Sequence, residues 1–347
     1  MIKIISVRHN HFLFYLLLFP LLLCAYLPQA IAQDAEKALG VKTLEYRDKT
    51  RNRPVIIELW YPTEQQEPSE SESSDLWIHP KEVRNAQIAK NQTKYPLLLM
   101  SHGHRGDRRE RSWLANMLAK EGYVIASVDH YGDTRSTFNP MISLCFWNRF
   151  LDISFAIDQL LKEPLIESYI DKNKIGFIGY SLGGMTGLGL AGAKAKNVQK
   201  TILRAIRSYK EISPEMISQI DFSNSENSYL EPRIKAMLLI CPALFVYPTE
   251  NLKKVNIPIG LIAAIQDEVL PHKNHSYQII KQAIPRRLKI MRKKEVSHYS
   301  FLNHISEAGK IFFHKPSQKN SPRCDRDLIH KEAGLFAIDF FKEILKN

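Results

Sequence analysis

From residue 95 onward the chain alternates between two hydrophobic patterns. Five short apolar runs, "YPLLLMSHG", "YVIASVDHYG", "KIGFIGYS", "IKAMLLICP" and "IPIGLIAAIQD", each end in polar or glycine-rich residues. Runs that are apolar at successive positions bury both faces, which predicts parallel strands covered on both sides. Between them lie stretches such as "RERSWLANMLAKEG" and "FLDISFAIDQLLKE", whose apolar residues recur every third or fourth position and predict amphipathic helices. Strand and helix in alternation predict an α/β domain with a doubly wound, mostly parallel sheet. Ahead of it, residues 41–61 give two strand-like runs around a charged, turn-prone centre, the pattern of an antiparallel hairpin. Residues 64–75, "EQQEPSESESSD", predict a polar acidic loop. One connection is longer than a crossover needs: residues 194–232 carry the helix-like "NVQKTILRAIRSYKEIS" and the polar "DFSNSENSY". This helical insertion is a candidate lid or an inert surface addition.

The first 32 residues follow a different rule. Lys3 and Arg8 precede an apolar run over residues 12–23, and "AIA" stands before Gln33. That order of charge, apolar core and small residues predicts a secretory signal peptide cleaved near Ala32, which leaves one domain over 33–347 and an exported, periplasmic or secreted protein. Its apolar core is shorter than the ~20 residues of a membrane span. With 44% hydrophobic and 24% charged residues in a chain of 347, the remainder has the composition of a globular protein. Cleavage takes away two bases and no acid, so the formal charge of +12 falls by only two. A surface this basic attracts anionic surfaces, and peripheral contact with an anionic membrane is an expected consequence. Nucleic acid is not indicated, because the bases are spread along the chain without zinc-finger spacing or an aromatic RNA-binding signature. Three cysteines follow the leader, and an oxidising compartment permits one disulfide among them. Cys241 sits inside the apolar "AMLLIC" and reads as core, which leaves Cys145 and Cys324 as the candidate pair.

In an open parallel sheet, ligands bind beyond the carboxyl ends of the strands. The residues at those ends are His102 and Gly103, Asp129 and His130, Ser181, Pro242, and Asp267. Ser181 stands in "GYSLG", between an apolar strand and a helix-like stretch, where a sharp turn exposes its hydroxyl and close neighbours must be as small as glycine. A serine hydroxyl is a weak nucleophile until a histidine takes its proton and an acid orients that histidine. The order Ser, acid, His is met by Asp267 in "LIAAIQDEVLP" and His298 in "LKIMRKKEVSHYSFL". Glu268 competes with Asp267 for the acid. His272 and His275 follow Asp267 too closely to have a further strand between, and His304 and His314 lie beyond His298. The backbone amides of Leu182, after the serine, and of Gly103 and His104, in "SHGHRGDR", are candidate donors to an oxyanion. A rival use of the same strand ends is a metal site from His102, His104, Asp129 and His130, although HExxH and paired-ligand helix spacings are absent.

Several segments together, "SHGHRG", "VDHYGDT", "RFLDISFAIDQLL", "GYSLGG", "EPRIKAMLLICPAL", "QDEVLP", "SHYSFL" and "DRDLIHKEAGLFAIDFF", resemble the α/β-hydrolase superfamily. More narrowly, they are similar to the bacterial exported group called predicted dienelactone hydrolases, relatives of platelet-activating-factor acetylhydrolase. The likeness runs over roughly residues 39–341. It implies an α/β-hydrolase fold, a triad of Ser181, Asp267 and His298, and a scaffold role for Arg149 and Asp152 in the RFLD helix. Two departures bear on substrate. True dienelactone hydrolases use a cysteine nucleophile, where this chain has Ser181. In the acetylhydrolases the acid follows the strand immediately after the nucleophile's helix, where this chain reads "CPALF", which favours Asp267 and loosens the link to phospholipids.

The expected activity is hydrolysis of a small-molecule or lipid carboxylic ester through an acyl-enzyme, with no cofactor and no metal. Acyl transfer to an acceptor other than water uses the same triad. A non-catalytic binding protein on a hydrolase scaffold is the alternative from a different class.

Overall fold

A computed structural model describes residues 39–65, 76–91, 94–205, 212–271, 276–284, 287–312 and 325–346. The predicted leader 1–32, most of the acidic loop 64–75, and His272, His275, His314 and Cys324 lie outside the described residues. So the proposed Cys145–Cys324 pair is not described. Cys145 itself is half-buried, and its thiol donates to the Met141 carbonyl at 3.4 Å.

The predicted hairpin is formed by β1 (Leu39–Asp48) and β2 (Arg53–Pro62), paired antiparallel from Leu39↔Pro62 to Asp48↔Arg53. The apolar runs become β4 (Tyr95–Ser101), β5 (Val124–Asp129), β6 (Ile170–Tyr180), β7 (Ile234–Ile240) and β8 (Ile259–Ala264), and β9 (Leu288–Lys293) follows. With the short β3 (Val83–Arg84), they form one nine-stranded sheet in the order β3-β1-β2-β5-β4-β6-β7-β8-β9. The strands from β5 to β9 in that order run parallel, and β2 joins β5 antiparallel.

Side chains alternate across the pleat, so each parallel strand feeds two cores. Leu97 and Leu99 of β4 and Phe177 of β6 enter one core, while Leu98 and Met100 of β4 and Ile178 of β6 enter the other. The first is covered by α3 (Trp147–Leu160) and α4 (Leu182–Leu190), through Phe150, Ile153, Ile157 and Met185. The second is covered by α1 (Ser112–Lys120) and α10 (Arg326–Phe341), through Leu114, Leu118, Ala333 and Phe341. Burial on both faces explains why these strands read as unbroken apolar runs.

The strand order reverses between β4 and β6. β5 lies on one side of β4 and β6 on the other, so the loops leaving β4 and β6 diverge and open a crevice at their carboxyl ends. The insertion 194–232 contains α5 (Val198–Ala205) and α6 (Pro214–Ser218). Ile217 is buried in the first core, Phe222 packs 5.7 Å from the ring of Trp147, and Tyr229 4.8 Å from that of Phe150. Phe222 and Tyr229 of this segment therefore lie against α3.

Candidate active site

Ser181 occupies the turn between β6 and α4 with φ +54° and ψ −115°, a conformation that costs a non-glycine residue roughly 1–3 kcal/mol. Hydrogen bonds hold it there. Its amide donates to the Ile240 carbonyl at 2.9 Å, and its carbonyl accepts from Gly184 at 3.0 Å and Ala243 at 3.0 Å. The two flanking glycines are required by space. A Cβ on Gly179 would stand 2.3 Å from the Gly183 carbonyl oxygen, and one on Gly183 would stand 2.1 Å from that of Ser101.

His298 follows β9 and opens the 3-10 turn His298–Phe301, capped by Ser297. Its Nε2 lies 3.0 Å from Ser181 Oγ and its Nδ1 lies 2.8 Å from Asp267 Oδ2. An ionised carboxylate only accepts, so the imidazole proton sits on Nδ1 and Nε2 accepts from the serine hydroxyl. Asp267 is aimed by its other oxygen, which accepts from the amides of Val269 at 3.0 Å and Leu270 at 2.6 Å. Glu268 accepts instead from the backbone amide of His298 at 3.1 Å, so it steadies the turn and leaves the ring to Asp267. All three side chains, Ser181, His298 and Asp267, are buried to 8% exposure or less.

The candidate oxyanion donors separate. Leu182 is the first residue of α4, where a backbone amide has no partner within the helix and the helix dipole favours negative charge. The Gly103 amide points to Glu110 Oε1 at 3.4 Å, which leaves His104 as the better second donor. Both Gly103 and His104 line the cavity beside Ser181.

Buried charges fix the loop that carries these amides. Arg149 of α3 donates to the His102 carbonyl, to Asp133 at 2.5 Å and to Thr186 of α4 at 3.3 Å. Burial opposes the ionisation of Asp133, but the hydrogen bond from His104 and the charge of Arg149 outweigh it and lower its pKa. Asp152 accepts from Arg53 at 2.8 and 2.9 Å and from His130 at 3.0 Å. Its pKa also falls, because the bond from His130 and the charge of Arg53 outweigh burial. Arg111 holds the Ser101 carbonyl at 3.3 Å, pairs with Glu110, and lies 4.7 Å over the ring of Tyr180. The sequence offered "RFLD" as scaffold; it gave no sign that Glu110 and Arg111 share that work.

The histidines at the strand ends are occupied separately. His102 donates from Nδ1 to the Gly103 carbonyl at 2.7 Å and accepts at Nε2 from the His130 amide at 3.1 Å. His130 lies between Asp152 and the Ser101 hydroxyl, and burial, helped by the charge of Arg149, brings its pKa down to about 4. His104 faces Asp133 at 2.8 Å, and Asp129 faces Arg108 at 2.6 Å. His304 bonds Asp327 at 2.7 Å. Among the described residues, the one group of three potential metal donors lying within 4.8 Å of one another is Cys241, Asp267 and His298, which coincides with the hydrogen-bonded relay.

A cavity of about 390 Å³ opens over Ser181 and His298. Trp77, Tyr299, Leu302, Ile305 and Phe312 form its apolar walls, and Arg105, Arg135 and Arg326 also line it. No described residue of 194–232 lines it.

A parallel sheet with an antiparallel hairpin at one side, a strained serine after β6 and an acid and histidine after β8 and β9 settle the architecture. The chain has the α/β-hydrolase fold. A ferulic acid esterase from Streptomyces cinnamoneus has a similar structure, with a TM-score of 0.63 over 89% of this chain and 90% of that one, at 18% identity. The family model for platelet-activating factor acetylhydrolase, isoform II, matches residues 80–139 of this chain. That stretch holds β4, α1 and β5 with the loops that carry His104, Arg105 and Arg135. No curated protein sequence matches the chain.

Proposed function

We propose that the protein is an exported carboxylic ester hydrolase that works through an acyl-enzyme on Ser181. The carrying observation is the relay from Ser181 Oγ through His298 to Asp267, at 3.0 and 2.8 Å. The esterase structure and the acetylhydrolase family match support the same chemistry. His298 Nε2 takes the serine proton as Oγ attacks the ester carbonyl. Asp267 holds the imidazole with Nδ1 protonated and stabilises the imidazolium that forms. The amides of Leu182 and His104 receive the oxyanion. As the tetrahedral intermediate collapses, His298 passes its proton to the departing alkoxide, and the alcohol leaves. Water, deprotonated by the same nitrogen, then attacks the acyl group, and the acid leaves with Ser181 restored. The export reading rests on the order of charge, apolar core and small residues in 1–32.

The cavity is near the lower end of ordinary small-molecule sites, which supports short acyl chains. The test is hydrolysis of p-nitrophenyl esters from acetyl to palmitoyl by the protein and by Ser181→Ala. Turnover greatest for the short acyl groups, with a loss of about 10⁴-fold or more in the variant, is the expected result. A folded protein that neither turns over any member nor reacts with a fluorophosphonate would instead be a binding protein on this scaffold.

A further inference from the structure

Glu110 lines the cavity beside Ser181, although only 3% of its surface is exposed. Gly103 lies between the two residues: a Cβ on it would stand 3.2 Å from Ser181 Cβ, and its amide lies 3.4 Å from Glu110 Oε1. The backbone of Glu110 is fixed by the Asn303 amide, which donates to its carbonyl at 2.8 Å. The two carboxylate oxygens differ. Oε1 accepts from the buried Arg111 guanidinium and faces the Gly103 amide. No described residue donates a hydrogen bond to Oε2. That oxygen lies against Gly106, which lines the same cavity and whose Cβ, had it one, would stand 2.4 Å from it. With glycine there, Oε2 stays uncovered. Burial raises the pKa of Glu110, and the charge of Arg111 draws it back down. Paired in this way, the carboxylate only accepts.

A buried carboxylate oxygen without a donor is costly, and folded proteins leave few such atoms unpaired. Arg111 already balances the charge, so what Oε2 lacks is a hydrogen rather than a second cation. We infer that the ester hydrolysed here carries a neutral hydroxyl a few bonds from its carbonyl, and that this hydroxyl donates to Glu110 Oε2 while the carbonyl reaches Ser181. The inference rests on the esterase reading and narrows its substrates to esters that bear a hydroxyl. Glu110 is then a specificity-determining residue. An ester without a donor would close over Oε2 and leave it unpaired, and a site built round such an acceptor discriminates against the analogue that lacks the hydroxyl.

Two matched pairs test it: 2-hydroxyethyl acetate against 2-methoxyethyl acetate, with the hydroxyl on the alcohol side, and methyl 3-hydroxypropanoate against methyl 3-methoxypropanoate, with it on the acyl side. Acid release is titrated at constant pH, and ratios of kcat/KM are corrected by the alkaline hydrolysis rate of each ester. The expected result is a preference of about tenfold or more for the hydroxyl member of at least one pair, and the pair that shows it assigns the hydroxyl to the alcohol or to the acyl group. Gly106 has no positive φ, so alanine fits its backbone. In Gly106→Ala the new methyl covers Oε2, and the preference is expected to fall towards unity. Glu110→Gln goes further. Arg111 and the Gly103 amide still require an oxygen at the Oε1 position, so the NH₂ group takes the place of Oε2 and donates, and the methoxy member becomes the preferred one. If that variant fails to fold because buried Arg111 loses its partner, Gly106→Ala decides. Turnover that depends on Ser181 but is equal or faster for the methoxy member of both pairs overturns the inference while leaving the esterase intact. A hydroxyl preference that Gly106→Ala leaves unchanged places the acceptor elsewhere and overturns it too. If all four esters resist hydrolysis, the esterase reading fails. Binding of N-(2-hydroxyethyl)acetamide and N-(2-methoxyethyl)acetamide, followed by saturation-transfer NMR, then decides the subsite: stronger binding of the hydroxyl amide that Gly106→Ala removes supports it, and equal or no binding overturns it.

Discussion

Asp267 shows how much of the site turns on single atoms. Its Oδ1 accepts from two backbone amides and its Oδ2 from His298 Nδ1. In Asp267→Asn the two amides still require an oxygen at the first position, so the new NH₂ group must face the imidazole. An NH₂ donor forces Nδ1 to accept and moves the ring proton to Nε2, where it can no longer take a proton from Ser181. The variant is expected to keep its thermal stability and its KM while kcat falls by about 10⁴, as read by steady-state hydrolysis of p-nitrophenyl acetate. A fall of only a few-fold would mean that Glu268 or another acid can orient His298. Both neighbours, Asp267 and Glu268, were legible as acids beyond a strand. Their division of labour was not, because it depends on which carboxylate meets the ring and which meets the backbone of His298.

The element that positions the proposed nucleophile is the strand, turn and helix formed by β6, Ser181 and α4. It was readable in "GYSLGG" because a sharp turn needs small residues wherever it lies in the chain. The structure shows what those residues make room for: Gly183 lies against the backbone of Ser101 and His102, the loop that presents the His104 amide. Backbone cannot step aside as a flexible side chain does, so Gly183→Ala is expected to destabilise the protein by about 3 kcal/mol or more. Thermal melting checks this, and an unchanged midpoint would show that the β4 loop can yield. The same loop is held from α3, where Arg149 reaches the His102 carbonyl. Its residue type was visible in "RFLD", but its partners lie far along the chain, and no local pattern records them.

Across the whole molecule, buried neutral histidines tie stability to pH. His330 stacks on Trp113, ring centres 4.1 Å apart, and donates from Nε2 to the Leu302 carbonyl at 3.0 Å. Burial, and then the charge of Arg326, brings its pKa down to about 3, while His130 is brought down to about 4. An unfolded histidine takes up a proton near pH 6.5, so between there and these lower values the unfolded chain binds more protons than the fold. The stabilisation is complete above pH 6.5 and is lost as pH falls towards 4 and 3, at a cost of roughly 2 kcal/mol for each histidine by pH 5. The melting temperature is therefore expected to fall from pH 7 to pH 5, and less steeply in His330→Gln; parallel curves would refute the assignment. The alternation of parallel strands and helices, the elbow and the order Ser181, Asp267, His298 were all determined by the sequence, because each rests on periodicity or on neighbours within a few residues. Tertiary structure alone decided that Phe222 and Tyr229 pack on α3, while Trp77, Phe312 and the arginines line the cavity. It also turned Gly103 towards Glu110 and divided the strand-end histidines among separate partners. Apart from the short-range bonds of Gly103 to Glu110 and of His102 to Gly103, those outcomes depend on contacts between residues tens to hundreds of positions apart, which arise only when the crossovers fold the strand ends onto one edge of the sheet.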